Sequence, residues 1–183
     1  MNAPLENLFV PTTELPELGP GPRAGVLSIA EVKQRAEVVA SAGGLSADTA
    51  AVLRALALLW HDHHDVAHGI VQDMPSADAA YVHAILHRRE PDYLNAKYWF
   101  RRVGQHPCCA ALAAAVVNIC REEGASELAT VLGPDTRWNA MAFVDACEAV
   151  AGELSESAKA RALRKIQQTE FEILFKHLVS AVH

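Results

Sequence analysis

No window of this chain approaches the ~18 uncharged apolar residues of a membrane span. Met1 to Ala24 holds no basic stretch followed by an apolar core, so neither a secretory leader nor a membrane anchor is expected, and a cytoplasmic protein is. Aromatic residues are scarce, at 6% against a hydrophobic fraction of 51% dominated by Ala, Leu and Val. Side chains this small suit closely packed helices and argue against a β-sandwich or barrel. The four cysteines, Cys108, Cys109, Cys120 and Cys147, show no C-x-x-C spacing, which leaves reduced and mostly buried thiols as the expectation. A net charge of -6 excludes the broad basic face that nucleic-acid binding needs. There is no H-E-x-x-H, no G-x-S-x-G and no glycine-rich phosphate loop, which removes zincin proteases, α/β-hydrolases, NTPases and dinucleotide folds.

The prolines present are unevenly spread. Five of the nine (Pro4, Pro11, Pro16, Pro20 and Pro22) fall in residues 1–25, which predicts an extended arm, with Leu8, Phe9 and Val10 as its apolar contacts. Residues 26–183 then read as helical. Ser28 with Glu31 forms a capping box for a helix ending at Gly43-Gly44, and Ser46 caps a long helix to about Gln72. Ser76 opens a helix that must stop near Glu90 ahead of Pro91. Asp92 caps another that Gly104 terminates, and Pro107 starts an Ala-rich helix to Glu123. A short turn over Ser126 to Leu132, a helix from Asp135 to about Ala151 and a last one from Ser155 or Ser157 complete the chain. The expectation is an all-α, compact, single-domain bundle of about seven helices, and its apolar last helix is either core or a homodimer face.

Seven of the nine histidines lie between residues 61 and 106. If the helix over 46–72 is continuous, His61, His64, Asp65 and His68 share one face at i, i+3, i+4 and i+7. His83, His87 and Glu90 repeat that spacing on the next helix, and a short connection makes the two antiparallel neighbours. Facing stripes of imidazole and carboxylate are the ingredients of a bundle-core metal site. His61, Asp65, His68, His83 and His87 are therefore candidate ligands for zinc, iron, nickel or manganese. Asp62 and Glu90 are candidates to move a proton. Two alternatives stand beside this: histidines bonded structurally to carbonyls and carboxylates, and an acid/base site without metal.

From His83 to His106 five cations face two anions, a local balance of +3 in an acidic chain. Arg88, Arg89, Lys97, Arg101, Arg102 and His106 are candidate ligands for a small anionic molecule, a phosphate or a carboxylate. The rival reading pairs them with acidic side chains elsewhere in the fold. Together these features suggest a metal-dependent hydrolase or lyase, or else a non-catalytic helical module that binds a ligand or partner.

Trp60-His61-Asp62-His63 with Ala67-His68, and the run His83 to Pro107 (HAILHRREPDYLNAKYWFRRVGQHP), resemble an uncharacterised family of bacterial and fungal proteins. The resemblance covers about a quarter of the chain. It implies that the two histidine helices and the basic segment form one recurrent unit, and it implies no activity.

Overall fold

The computed structural model describes residues 8, 9, 15–21, 23–133, 135, 137–151 and 157–180. They form helices α1 (Ile29–Gly43), α2 (Ala47–Trp60), α3 (His64–Val71), α4 (Ala77–Arg89), α5 (Tyr93–Val103), α6 (Cys108–Glu122), α7 (Ser126–Leu132), α8 (Ala140–Ala149) and α9 (Ala158–Ser180), with no strand among the described residues. The all-α expectation is met with nine helices there rather than about seven. Among the described residues no helix is long and apolar enough to cross a membrane.

Most helix ends follow local chemistry. Ser28 and Glu31 form the reciprocal capping box of α1, and Gly44 closes that helix in the left-handed region at φ 63°. Ser46, Ser76 and Asp92 accept from the third backbone N–H of α2, α4 and α5, and Ser157 does the same for α9. Asp135 does not cap α8. That helix begins five residues later on Asn139, whose side chain accepts from Ala142 N.

The expected helix over 46–72 is two helices, not one. α2 stops at Trp60, His61 to His63 leave the helical path, and α3 restarts at His64. Asp62 lies at φ 65°, a left-handed conformation that costs an L-residue roughly 1–2 kcal/mol, although Asp tolerates it better than most. Locally Asp62 N bonds Leu59 O and His63 N bonds Leu58 O, the pair that closes a helix C-terminus, and tertiary contacts fix the turn. Arg23 donates from N and Nε to Asp62 Oδ2 and from Nη2 to Trp60 O. The buried Arg89 donates to Asp62 Oδ1 at 2.7 Å and to Leu59 O.

The arm is bound where it is described. Leu8 and Phe9 are buried, and Phe9 packs edge-on against Trp60 and Phe175, each at 5.2 Å. Val10 lies outside the described residues. Pro16 O and Glu17 O accept from Gln167 on α9, and Glu17 O also accepts from Arg89.

One core joins α1 to α5 with the start of α6 and the end of α9, while a second joins α6, α7, α8 and the start of α9. α4 packs against α5, α3 and α2, so its residues from Ala79 to Arg89 are all buried. A helix enclosed on every side presents any polar residue it carries to the interior.

Candidate metal centre

α3 lies against α4, and this contact brings His68 to His83 and His87. The ring centroids are 4.7 Å apart for His68 and His83, 5.5 Å for His68 and His87, and 4.7 Å for His83 and His87, which stack. One possible ligand atom from each ring lies within 4.8 Å of the others. Trp99 of α5 stacks on the other face of His83 at 3.9 Å. The i, i+4 spacing on α4 orients two of the rings, and α3 supplies the third.

Hydrogen bonding sets His83 apart from the other histidines. His83 is 3% exposed, and among the described residues neither of its ring nitrogens has a partner. Burial, then the imidazoles of His87 and His68, push its pKa down to about 3, so the ring is neutral with a lone pair available. Among the described residues His87 meets the Asn95 amide nitrogen at 3.2 Å from Nε2, and Glu90 Oε2 lies 3.4 Å from its Nδ1. Burial raises the Glu90 pKa, and the charge of Asp65 adds to the rise while His68 opposes it. An unmet buried polar nitrogen costs about 1–3 kcal/mol, and a bound cation is one way to recover that cost.

A second cluster was not foreseen from the sequence. Asp78 of α4 accepts at one oxygen from His106 Nε2 at 2.8 Å and from His177 Nε2 of α9 at 3.0 Å. His106 Nδ1 in turn accepts from Cys108 N, which obliges Nε2 to carry the proton it gives to Asp78. That nitrogen has no lone pair for a metal, and the cluster is closed by its own hydrogen bonds. His106 thus clamps the start of α6 to α4 and does not join the His83 group.

The remaining candidates are dispersed. His61 is buried apart from the cluster, with Nε2 donating to Leu8 O at 2.9 Å and Nδ1 accepting from Leu27 N, so it ties down the arm and is no metal ligand. The break after Trp60 separates it from His68, which removes the shared stripe. Asp65 is exposed on α3 outside the three-histidine group. Asp62 is taken up by Arg23 and Arg89; burial alone would raise its pKa, but the bonds from Arg89 and Arg23 outweigh that and lower it, so it is unsuited to accept a proton. Arg88 and Arg89 are buried, paired with Glu170 and Asp62, and do not face a diffusible anion. Lys97 pairs with Asp145 and lies 3.9 Å from Glu148. Arg101 and Arg102 are exposed, and Arg102 sits 5.1 Å over Trp99. His64 gives Nδ1–H to Asp62 O, which leaves its buried Nε2 bare.

No family model, curated protein or solved structure matches this chain. The chemistry of the site therefore follows from its own atoms.

His61 carries a pH dependence. Burial lowers its pKa below the ordinary 6.5, and the bond to Leu8 O opposes this only in part. The folded form disfavours the proton that the unfolded chain takes up, so its contribution is complete above pH 6.5 and is lost as pH falls toward the folded value. Urea unfolding between pH 7 and 5 is expected to show declining stability, to which His61 adds at most about 1.4 kcal/mol per pH unit beside the like contributions of His64, His83 and His87, whose pKa values burial also lowers. His61→Gln should flatten that decline, and an equally steep profile in the variant would contradict the assignment.

Proposed function

We propose that this protein is a metal-dependent enzyme, a hydrolase or lyase, in which His68, His83 and His87 hold one divalent ion and the substrate is a small anion. The observation that carries the reading is the pair of unpartnered ring nitrogens on buried His83, enclosed by two further imidazoles. Three neutral nitrogen ligands suit zinc, iron or nickel better than manganese. Three protein ligands leave a coordination position open, and a divalent ion there polarises a substrate or lowers the pKa of water.

Glu90 is the residue placed to serve this centre. Its carboxylate, beside His87 Nδ1, orients that ring, and His87 Nε2 joins the ion in exchange for its contact with the Asn95 amide; Glu90 otherwise takes up a proton released at the site. With Arg88 and Arg89 committed to the interior, Arg102, which sits over Trp99, is the candidate cation near the site for an anion. The four unpaired cysteines suit a reducing compartment such as the cytoplasm.

The rival reading is a binding module with structural histidines. It draws support from His61, His63, His106 and His177, whose rings bond to carbonyls or to Asp78. The test takes tag-free protein, measures its metal content, and then follows metal-dependent hydrolysis of a chromogenic phosphate monoester and a carboxylate ester. One ion per chain and turnover that falls more than 100-fold in both His83→Ala and Glu90→Gln supports the enzyme. An ion-free protein that gains no thermal stability from zinc, iron, nickel or manganese supports the module.

A further inference from the structure

Residues 58–66 contain neither glycine nor proline, so nothing there forbids a continuous helix, although Trp60 to Val66 are all weak helix formers. The chain nevertheless breaks at His61 to His63, and each of these three residues is bonded to the N-terminal arm or to Leu27, which joins it to α1. His61 joins Leu8 O and Leu27 N, Asp62 accepts two bonds from Arg23, and His63 Nε2 donates to Leu27 O at 2.7 Å. Trp60 O, the last carbonyl of α2, accepts from Arg23 as well. α3 itself begins without a side-chain cap. Within 58–66 the break carries the backbone bonds of a helix end, Asp62 N to Leu59 O and His63 N to Leu58 O; the side-chain contacts that fix it come from Arg89 and from the chain ahead of α1.

His68 follows the break by five residues. Joining α2 and α3 into one helix would return His61 to His63 to helical geometry and rotate every later side chain of α3, His68 included, away from His83 and His87. We propose that the arm is a strap holding this break, and that the docked arm and an ion held by His68, His83 and His87 stabilise the same conformation. The alternative conformation has the arm released, α2 and α3 continuous and the three imidazoles apart. Two ligands of one conformational state strengthen each other equally, so arm docking must tighten ion binding by the factor by which the ion tightens the arm. The linkage rests on the metal site proposed above, whereas the strap does not.

The test uses the full chain and a variant carrying Arg23→Ala with His63→Ala, neither of which is in the proposed ion site. With the arm docked, the amides of His64, Asp65 and Val66 open α3 and have no carbonyl four residues back. In the metal-free variant their hydrogen exchange is expected to slow at least tenfold as the helix closes, and cobalt(II) affinity should fall at least tenfold. In the wild type, saturating cobalt(II) should slow tryptic cleavage after Arg23 at least tenfold. Unaltered exchange at the three amides overturns the strap. Cobalt(II) that binds yet leaves cleavage after Arg23 unchanged overturns the linkage. A wild type that takes up no cobalt(II) overturns the metal site and the linkage together, and the exchange rates alone then decide whether the strap holds the break.

Discussion

Replacing His83 by leucine is expected to leave the metal-free protein as stable as the wild type or more so, while weakening zinc binding more than 100-fold. The imidazole makes no hydrogen bond, so none is lost. Removing two buried, unmet nitrogens recovers about 1–3 kcal/mol. The stack on Trp99 forfeits about 0.5–1.5 kcal/mol, and leucine fills a comparable volume. The first effect is the larger, and the balance favours the variant. A residue that weakens the empty fold is kept for something the fold does not need, which is the signature of a binding group. Urea unfolding of both proteins in chelator, with zinc titration of each, measures the two effects. A loss of 2 kcal/mol or more in the metal-free variant would make His83 structural.

The second large effect lies at the buried pair between α4 and α9. Arg88 and Glu170 are both 0% exposed, with Arg88 Nη2 2.6 Å from Glu170 Oε2 and 3.2 Å from Gln167 Oε1, and the guanidinium lies 4.3 Å from the Phe143 ring. Removing one partner strands a desolvated charge. Glu170→Ala is therefore expected to cost about 3–5 kcal/mol, enough to unfold a marginal domain. Replacing both, as Arg88→Met with Glu170→Leu, should come within about 1 kcal/mol of the wild type, because the pair's mutual attraction scarcely exceeds its desolvation. Thermal unfolding of the two single variants and the double gives the coupling directly. Equal destabilisation in the double variant would show that the pair stabilises the fold beyond what apolar packing can replace.

These two residues also mark where the sequence could and could not be read. Ser28, Gly44, Ser46, Ser76, Asp92 and Ser157 act through bonds within a few residues, and the helix ends they set were legible. His83 and His87 were legible as a pair for the same reason, since i, i+4 is a local relation. The adjacent Arg88 and Arg89 read as ligands for a small anion, with pairing to acids elsewhere as the rival, because nothing local reveals that α4 is enclosed on all sides; the rival holds, and the partners, Glu170 and Asp62, are distant in sequence. The break after Trp60 was hidden for a related cause. Its segment lacks the glycine or proline that would announce a helix end, and Arg23 and Arg89, remote in sequence, fix the turn there. His177 reaches Asp78 across 99 positions, a pairing that only the packing of α9 reveals.

Anomalous diffraction at a zinc or cobalt absorption edge, from crystals given one equivalent of the ion, is the most direct measurement of the central claim. A single peak about 2.0–2.2 Å from one nitrogen each of His68, His83 and His87 is the predicted result. A peak at Asp78 and His177, or none inside the molecule, would contradict it.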